Sequence, residues 1–240
     1  MEKTRIKLLR YNDIAVSTVF DKEAALLAQL QTNTLDQSLI LWRTKVPTLV
    51  LPAGNKWPMS SSLESALSEI GWQLFTRKTG GAPVPQTDRV INVSHLYHWP
   101  TSKPYSIVLA YQYLCRALTG FLASFGITCD VHATPGSYCD GDYNLNIAGK
   151  KIIGTAQRVV VTKGGGRIVL AQACILIDAL MEELVKPVNL CYTHCGYQEL
   201  IKADVHTSLF EHIDERLNVD MLFSKLQQAF IDSQLYSSFE

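Results

Sequence analysis

The stretch Tyr143-Asn-Leu145-Asn-Ile147-Ala148-Gly149-Lys150-Lys151-Ile152-Ile153-Gly154-Thr155-Ala156-Gln157-Arg158-Val-Val-Val161, followed by Gly164-Gly165-Gly166 and Arg167 to Ile177, decides the fold. Tyr143, Leu145 and Ile147 alternate with polar partners, the period of a half-buried strand. Ala148-Gly149 reads as a turn, Lys151 to Val161 as the return strand, and the triple glycine as a second turn into Arg167–Ile177. These are consecutive hairpins, so the strands here pair antiparallel.

Working outward, the flanks are helical. Tyr105 to Phe125 places Ile107, Val108, Tyr111, Leu114, Leu118, Phe121, Leu122 and Phe125 at three- and four-residue spacing. Pro104 stands just before this run and Gly126 just after it. Asp21 to Leu30 reads as a helix capped by Asp21. Ser61-Ser-Leu-Glu64 reads as a capping box opening a helix that stops at Gly71. Leu39–Trp42, Thr48–Leu51, Gln73–Thr76 and Arg89–Ser94 read as strands, with a Gly/Pro-rich loop from Thr79 to Thr87. From Asp178 the chain is helical again, interrupted between Pro187 and Gly196. No repeat or linker divides it. Helices and hairpins are segregated, which favours α+β, a mixed and largely antiparallel sheet packed by helices, over a doubly wound parallel sheet.

Composition narrows the function classes. The 240 residues carry 22 basic and 22 acidic side chains and are 47% hydrophobic. That suffices for a packed core, and the zero net charge argues against nucleic acid or an anionic membrane as a partner. No apolar run approaches the ~20 residues that span a bilayer. Met1 to Ala15 lacks a secretory h-region, so the expected location is the cytoplasm and the six cysteines are expected as thiols.

Four stretches offer chemistry. Arg77-Lys-Thr-Gly80-Gly81-Ala82-Pro83 follows a strand; paired glycines let backbone N–H groups approach an anion or a carbonyl, although a plain tight turn reads as well. Gly136-Ser-Tyr-Cys139-Asp-Gly141 puts a thiol on a loop, where it is either nucleophilic or incidental. Of Lys150 and Lys151, one points inward on period two. Lys151 would share a face with Ile153 and Thr155, and an inward ammonium needs a carbonyl or phosphate partner; the alternative is a solvated pair. Cys191-Tyr-Thr-His194-Cys195 offers thiolate and imidazole ligands, but no second pair completes a standard metal site, so no metal is expected. Cys115, Cys129 and Cys174 read as small buried hydrophobes.

The order of these stretches resembles the lipoate–protein ligase A and octanoyltransferase superfamily, which is related in fold to biotin–protein ligase. The resemblance rests on Arg77-x-x-Gly80-Gly81, then Asn92 on the following strand, then Lys151-x-x-Gly154-Thr155-Ala156, and it runs from about Pro47 to Ile177. Gly136-Ser-Tyr-Cys139 with Gly141, Tyr143 and Gly149-Lys-Lys151 looks like the cysteine-dependent lipoyl/octanoyl amidotransferase branch. The resemblance implies a single catalytic domain over residues 1–240 with no C-terminal accessory domain. It implies Cys139 as acyl acceptor and Lys151 as the contact to the acyl carbonyl. Arg77, Gly80, Gly81, Asn92, Gly154, Thr155 and Ala156 then form the substrate site. Octanoyl or lipoyl is the transferred group, and no cofactor is needed for transfer. The implied partners are lipoyl domains of 2-oxoacid dehydrogenase E2 subunits and the glycine cleavage H protein, with acyl carrier protein as a further donor.

Three departures stand out. Ala82-Pro83 replaces a third glycine and Gln86-Thr87 a His-Asp that ligases and octanoyltransferases usually have, and Asn144 stands where members usually have an acidic residue, which in ligases belongs to the adenylate pocket. The last argues against the alternative of an ATP- and Mg-dependent ligase forming lipoyl-AMP. A non-catalytic lipoate-binding member is the remaining alternative.

Overall fold

The computed structural model describes residues 5–235. A seven-stranded sheet runs in the order β1 (Ile6–Tyr11), β2 (Gln37–Trp42), β6 (Val90–His98), β10 (Arg167–Leu176), β9 (Lys150–Val161), β8 (Leu145–Ile147), β7 (Asp130–Val131). A smaller sheet has β3 (Thr48–Leu51) between β4 (Gln73–Thr76) and β5 (Val84–Gln86). The pairs β1–β2 and β3–β4 are parallel and the rest antiparallel. The helices are α1 (Val16–Gln31), α2 (Ser61–Glu69), α3 (Ile107–Ala123), α4 (Met181–His194) and α5 (Val219–Asp232), with a short 3₁₀ turn at Leu209–Glu211. The expected α+β class, with a mixed and largely antiparallel sheet, is the one observed.

Period-two alternation sorts the sheet into two faces. Leu39, Leu41, Val93, Val169, Ala171 and Ile175 pack under α3 and α5, which contribute Leu114, Leu118, Phe121, Phe223 and Phe230. Ile40, Trp42, Leu96, Ile168 and Leu170 face α1. Between them on that second face come polar residues, Asn92 and Ser94 from β6 and Gln172 and Cys174 from β10. A third apolar layer joins the small sheet to α2 and α4 through Leu49, Leu51, Leu63, Leu67, Leu184 and Val188.

The local signals need five corrections. Helix α1 begins after Ala15 with no side-chain cap, so Asp21 lies exposed within the helix. Burial of Val16 and Val19 extends it past that signal. Ser60, one residue before the expected Ser61, caps α2 by accepting from the Leu63 N–H at 3.2 Å. Helix α4 runs through Pro187, because burying Leu184, Val185, Val188 and Cys191 outweighs one lost backbone bond. It ends before Gly196, at φ +79°. Strand β1 has Ile6, Leu8, Leu9 and Tyr11 without strict alternation and β5 is only three residues long, so neither announces itself, and Cys129 sits half-buried just outside β7.

One irregularity positions the site. Leu145 pairs Ile153 but Asn146 pairs Lys151, so β9 carries one extra residue, Ile152, against β8. Ile152 and Ile153 both go into the α3 side of the core. Lys151 is therefore turned to the Gly154 side, not to the Ile153–Thr155 side that strict alternation expects. Lys150 stays exposed.

Phe121 is fully buried where α3 meets the sheet and α5. Phe121→Ala is expected to cost about 3–5 kcal/mol in urea unfolding, through lost transfer energy plus the cavity left behind.

Candidate active site

The bulged strand β9, the loop 134–144 and the polar stripe of β6 and β10 meet at one cleft. Counted to its open mouth it holds about 540 Å³ of empty space, of which about 60 Å³ is wide enough for a water-sized sphere, so the cleft is narrow. Phe20, Trp42, Val50, Val84 and Val93 supply apolar lining. Cys139, Lys151, Gly154, Thr155, Ala156, Arg77 and Asn92 also line it.

Lys151 is 1% exposed. Its Nζ donates to the carbonyls of Tyr138 and Cys139, the latter at 3.1 Å, and lies 4.5 Å from the Tyr138 ring centroid. Two of its three N–H groups are thus spent on the loop, leaving one for the cleft. Its backbone is held on both sides, N–H to Val205 O and C=O from Thr207 N–H, each at 2.9 Å. Burial pushes the ammonium below its ordinary value, while Cys139, Cys174 and Asp140 oppose that. Gly154 is required beside it: a Cβ there would lie 3.1 Å from Lys151 Cε and 3.2 Å from Nζ.

Cys139 is half-buried and holds a left-handed backbone, φ +50°. That conformation costs a non-glycine residue roughly 1–2 kcal/mol, so the surrounding bonds must hold it. Gly81 (φ +115°) packs against the thiol; a Cβ there would meet Cys139 Sγ at 3.0 Å and Arg77 Nη2 at 3.1 Å. Gly80 does not line the cleft, but its carbonyl is fixed by Arg77 at 3.0 Å.

Arg77 is buried and bonds Val50 O, Gly80 O and Ala82 O, so it braces the Gly80-Gly81 turn from within. Asn92 is occupied by Gln86, its Oδ1 accepting at 3.1 Å and its Nδ2 donating at 2.7 Å. Thr155 Oγ1 donates to Tyr143 O at 2.8 Å, tying β9 to the loop.

Gln86, noted in the sequence only as a departure, is the residue that pairs with Asn92. Other residues were not singled out for the site. Cys174, set aside as a core thiol, lines the cleft opposite Gly154, its β10–β9 register partner. Burial pushes its thiol up to about 12, and Lys151 counters that. The hairpin register counted back from the Gly164–Gly166 turn would have found it. Tyr138 is buried under Lys151 and stacks on His206 at 4.9 Å. Burial, then Lys151, lowers His206 to about 4, so it stays neutral. Cys191 lies in the last turn of α4 and Cys195 caps the helix's C-terminal end, and His194 Nδ1 contacts Leu190 O at 2.9 Å. No group of three metal-ligating side chains occurs among the described residues.

The family model for the lipoyl protein ligase A/B catalytic domain matches residues 16–231. The chain belongs to this family. It is 26% identical over 229 residues to an octanoyl-[GcvH]:protein N-octanoyltransferase of Geobacillus kaustophilus, covering 91% of this chain and 78% of that one. A Macrococcus caseolyticus protein of the same name is 28% identical over 158 residues, 65% of this chain and 55% of its own length. The matches thus span from about half to about four-fifths of these relatives. In structure the chain is similar to a lipoate-protein ligase A bound with ATP, with TM-score 0.72 at 15% identity over 99% of this chain and 88% of that one. It is also similar to a bi-partite lipoate protein ligase of Thermoplasma acidophilum, with TM-score 0.66 at 15% identity over 100% of this chain and 87% of that one. The expected superfamily, fold and octanoyl-transferring class agree with these findings.

Behind the cleft wall, Glu23 of α1 accepts from Ser94 Oγ and from Gln172 Nε2 at 2.9 Å, and Gln172 Oε1 accepts from Thr79 Oγ1 at 2.9 Å. Burial raises Glu23 from 4.5 to about 7, although Ser94, Gln172 and Arg77 pull it down. The folded state therefore binds this proton more tightly than the unfolded chain. The contribution of Glu23 to stability is fullest below about 4.5 and is lost as pH climbs to about 7. Buried neutral His206 acts in the opposite sense over the same window, so the contribution is read as a difference. The stability of the native chain relative to Glu23→Gln, measured by chemical denaturation, should fall by roughly 1–3 kcal/mol from pH 4.5 to 7.

Proposed function

We propose that this protein transfers an octanoyl or lipoyl group to the acceptor lysine of a lipoyl domain, through a thioester on Cys139. The observation that supports it most directly is one buried ammonium, Lys151, bonded to the Cys139 carbonyl at the head of an apolar cleft. In the first half-reaction the Cys139 thiolate attacks the acyl carbonyl of the donor. The C–N bond breaks and the departing lysine amine takes a proton. In the second, the acceptor amine attacks the thioester, the C–S bond breaks and the thiolate is regenerated. Lys151, with one N–H left for the cleft, polarises the carbonyl and holds the oxyanion in both halves. Gly154, Thr155 and Ala156 keep that wall low enough for the carbonyl to approach. Arg77, Gly80, Gly81 and Asn92 serve by shaping the cleft, since the bonds of Arg77 and Asn92 are committed to protein.

The apolar lining of the cleft suits an acyl tail. Burying the seven carbons beyond an octanoyl carbonyl at ~0.8 kcal/mol each contributes roughly 5 kcal/mol. The glycine cleavage H protein is the proposed donor and E2 lipoyl domains the acceptors, in keeping with the names of the relatives. No cofactor enters this route.

Incubation with octanoylated H protein should give an octanoyl adduct on the Cys139 peptide by mass spectrometry. Cys139→Ala should lower transfer to apo lipoyl domain by at least ~10³-fold, and Lys151→Ala by ~10²–10³-fold. Full transfer by the Cys139 variant would overturn the thioester. Acylation from free lipoate that requires ATP would place the protein with the ligases instead.

A further inference from the structure

The left-handed backbone of Cys139 is held through its own carbonyl oxygen. That oxygen accepts from Gly141 N–H at 3.0 Å, Lys151 Nζ at 3.1 Å and Asn144 Nδ2 at 3.1 Å. The first bond belongs to the turn and the second to the loop-bracing lysine. The third comes from a side chain with no other evident task.

Asn144 is 1% exposed and immediately precedes β8. Its main chain is fixed independently of Cys139: N–H donates to Gly141 O at 3.2 Å, and C=O accepts from His132 N–H at 3.0 Å and Asn146 Nδ2 at 3.2 Å. The amide therefore reaches the Cys139 carbonyl from a rigid anchor. A carbonyl only accepts, so the amide must present Nδ2 to it and turn Oδ1 away. Oδ1 is buried without a partner. It lies 3.8 Å from the point where a Gly154 Cβ would sit, a point 3.2 Å from Lys151 Nζ.

We propose that Asn144 is the positioning residue for Cys139, its amide locking the left-handed turn that presents Sγ to the cleft. A carboxylate of the same shape would undo this in two ways. It has no N–H to give and would set oxygen against oxygen at the Cys139 carbonyl. Its charge would also draw Lys151 Nζ away from the two carbonyls it braces. The role serves the acyl-thioester reading, but it makes a claim about Cys139 that needs no transfer to test.

The experiment uses the full chain and its Asn144→Asp and Asn144→Ala variants, each checked for a cooperative thermal transition. Iodoacetamide alkylation at neutral pH is followed thiol by thiol by peptide mass spectrometry, with Cys129 and Cys195 as internal references. Losing one hydrogen bond predicts Cys139 alkylation about fivefold slower in the alanine variant. In the aspartate variant it should be at least about tenfold slower, because charge is added. The reference thiols should not change. In octanoyl transfer, kcat should fall by similar factors while KM for the donor stays within about twofold. Native alkylation rates at Cys139 in the alanine variant, or equal changes at all three thiols, would overturn the positioning role. Transfer that bypasses Cys139, with alkylation still slowed, would leave the positioning role standing and overturn the thioester reading.

Discussion

A buried ammonium is the constraint around which this molecule is arranged. Taking Lys151 out of water is costly, and the cost is offset only where fixed acceptors meet every proton that water no longer serves. The chain supplies the carbonyls of Tyr138 and Cys139, the face of the Tyr138 ring and a cleft for the third N–H. Both carbonyls lie in the loop 134–144, which Asn144 and its own turn bonds also brace, so lysine and loop together hold the thiol. Burial also lowers the lysine's pKa, while Cys139, Cys174 and Asp140 pull it back up.

The sheet exists, for functional purposes, to bring that lysine to the right face. Its two sides carry different loads: α3 and α5 seal one, while α1 and the small sheet leave a polar stripe and a cleft on the other. The extra residue Ile152 lets β9 feed the core twice in succession and still aim Lys151 into the cleft. Glycines appear where space is scarce, Gly154 against Lys151 and Gly81 against Cys139 and Arg77. Arg77 and Asn92, residues that invite a substrate-binding role, spend their hydrogen bonds on protein and so act by fixing walls.

The legibility of these features varied with their range. Strands β3 and β4 and the β9–β10 hairpin were readable because alternation and turn glycines act over a few residues. Helix α3 was readable from its apolar stripe. The start of α1, the cap of α2 and the passage of α4 through Pro187 were not, because burial against distant strands outweighed the local signals. Strands β1 and β5 were invisible for the same reason in reverse: they are strands because a neighbour pairs with them.

The sequence alone determined the class of the fold, the order of its motifs and the presence of a loop thiol ahead of an inward lysine. These are properties of period, turn chemistry and residue type, which the chain carries wherever it goes. Only the tertiary structure decided which face Lys151 takes, since a single-residue bulge reverses a period-two assignment without changing composition. It alone brought Arg77, Asn92, Cys139 and Lys151 to one cleft and admitted Cys174, Gln86 and Asn144 to their company. Those residues meet through strand pairing and side-chain hydrogen bonds across dozens of positions, and such contacts have no period to be read by.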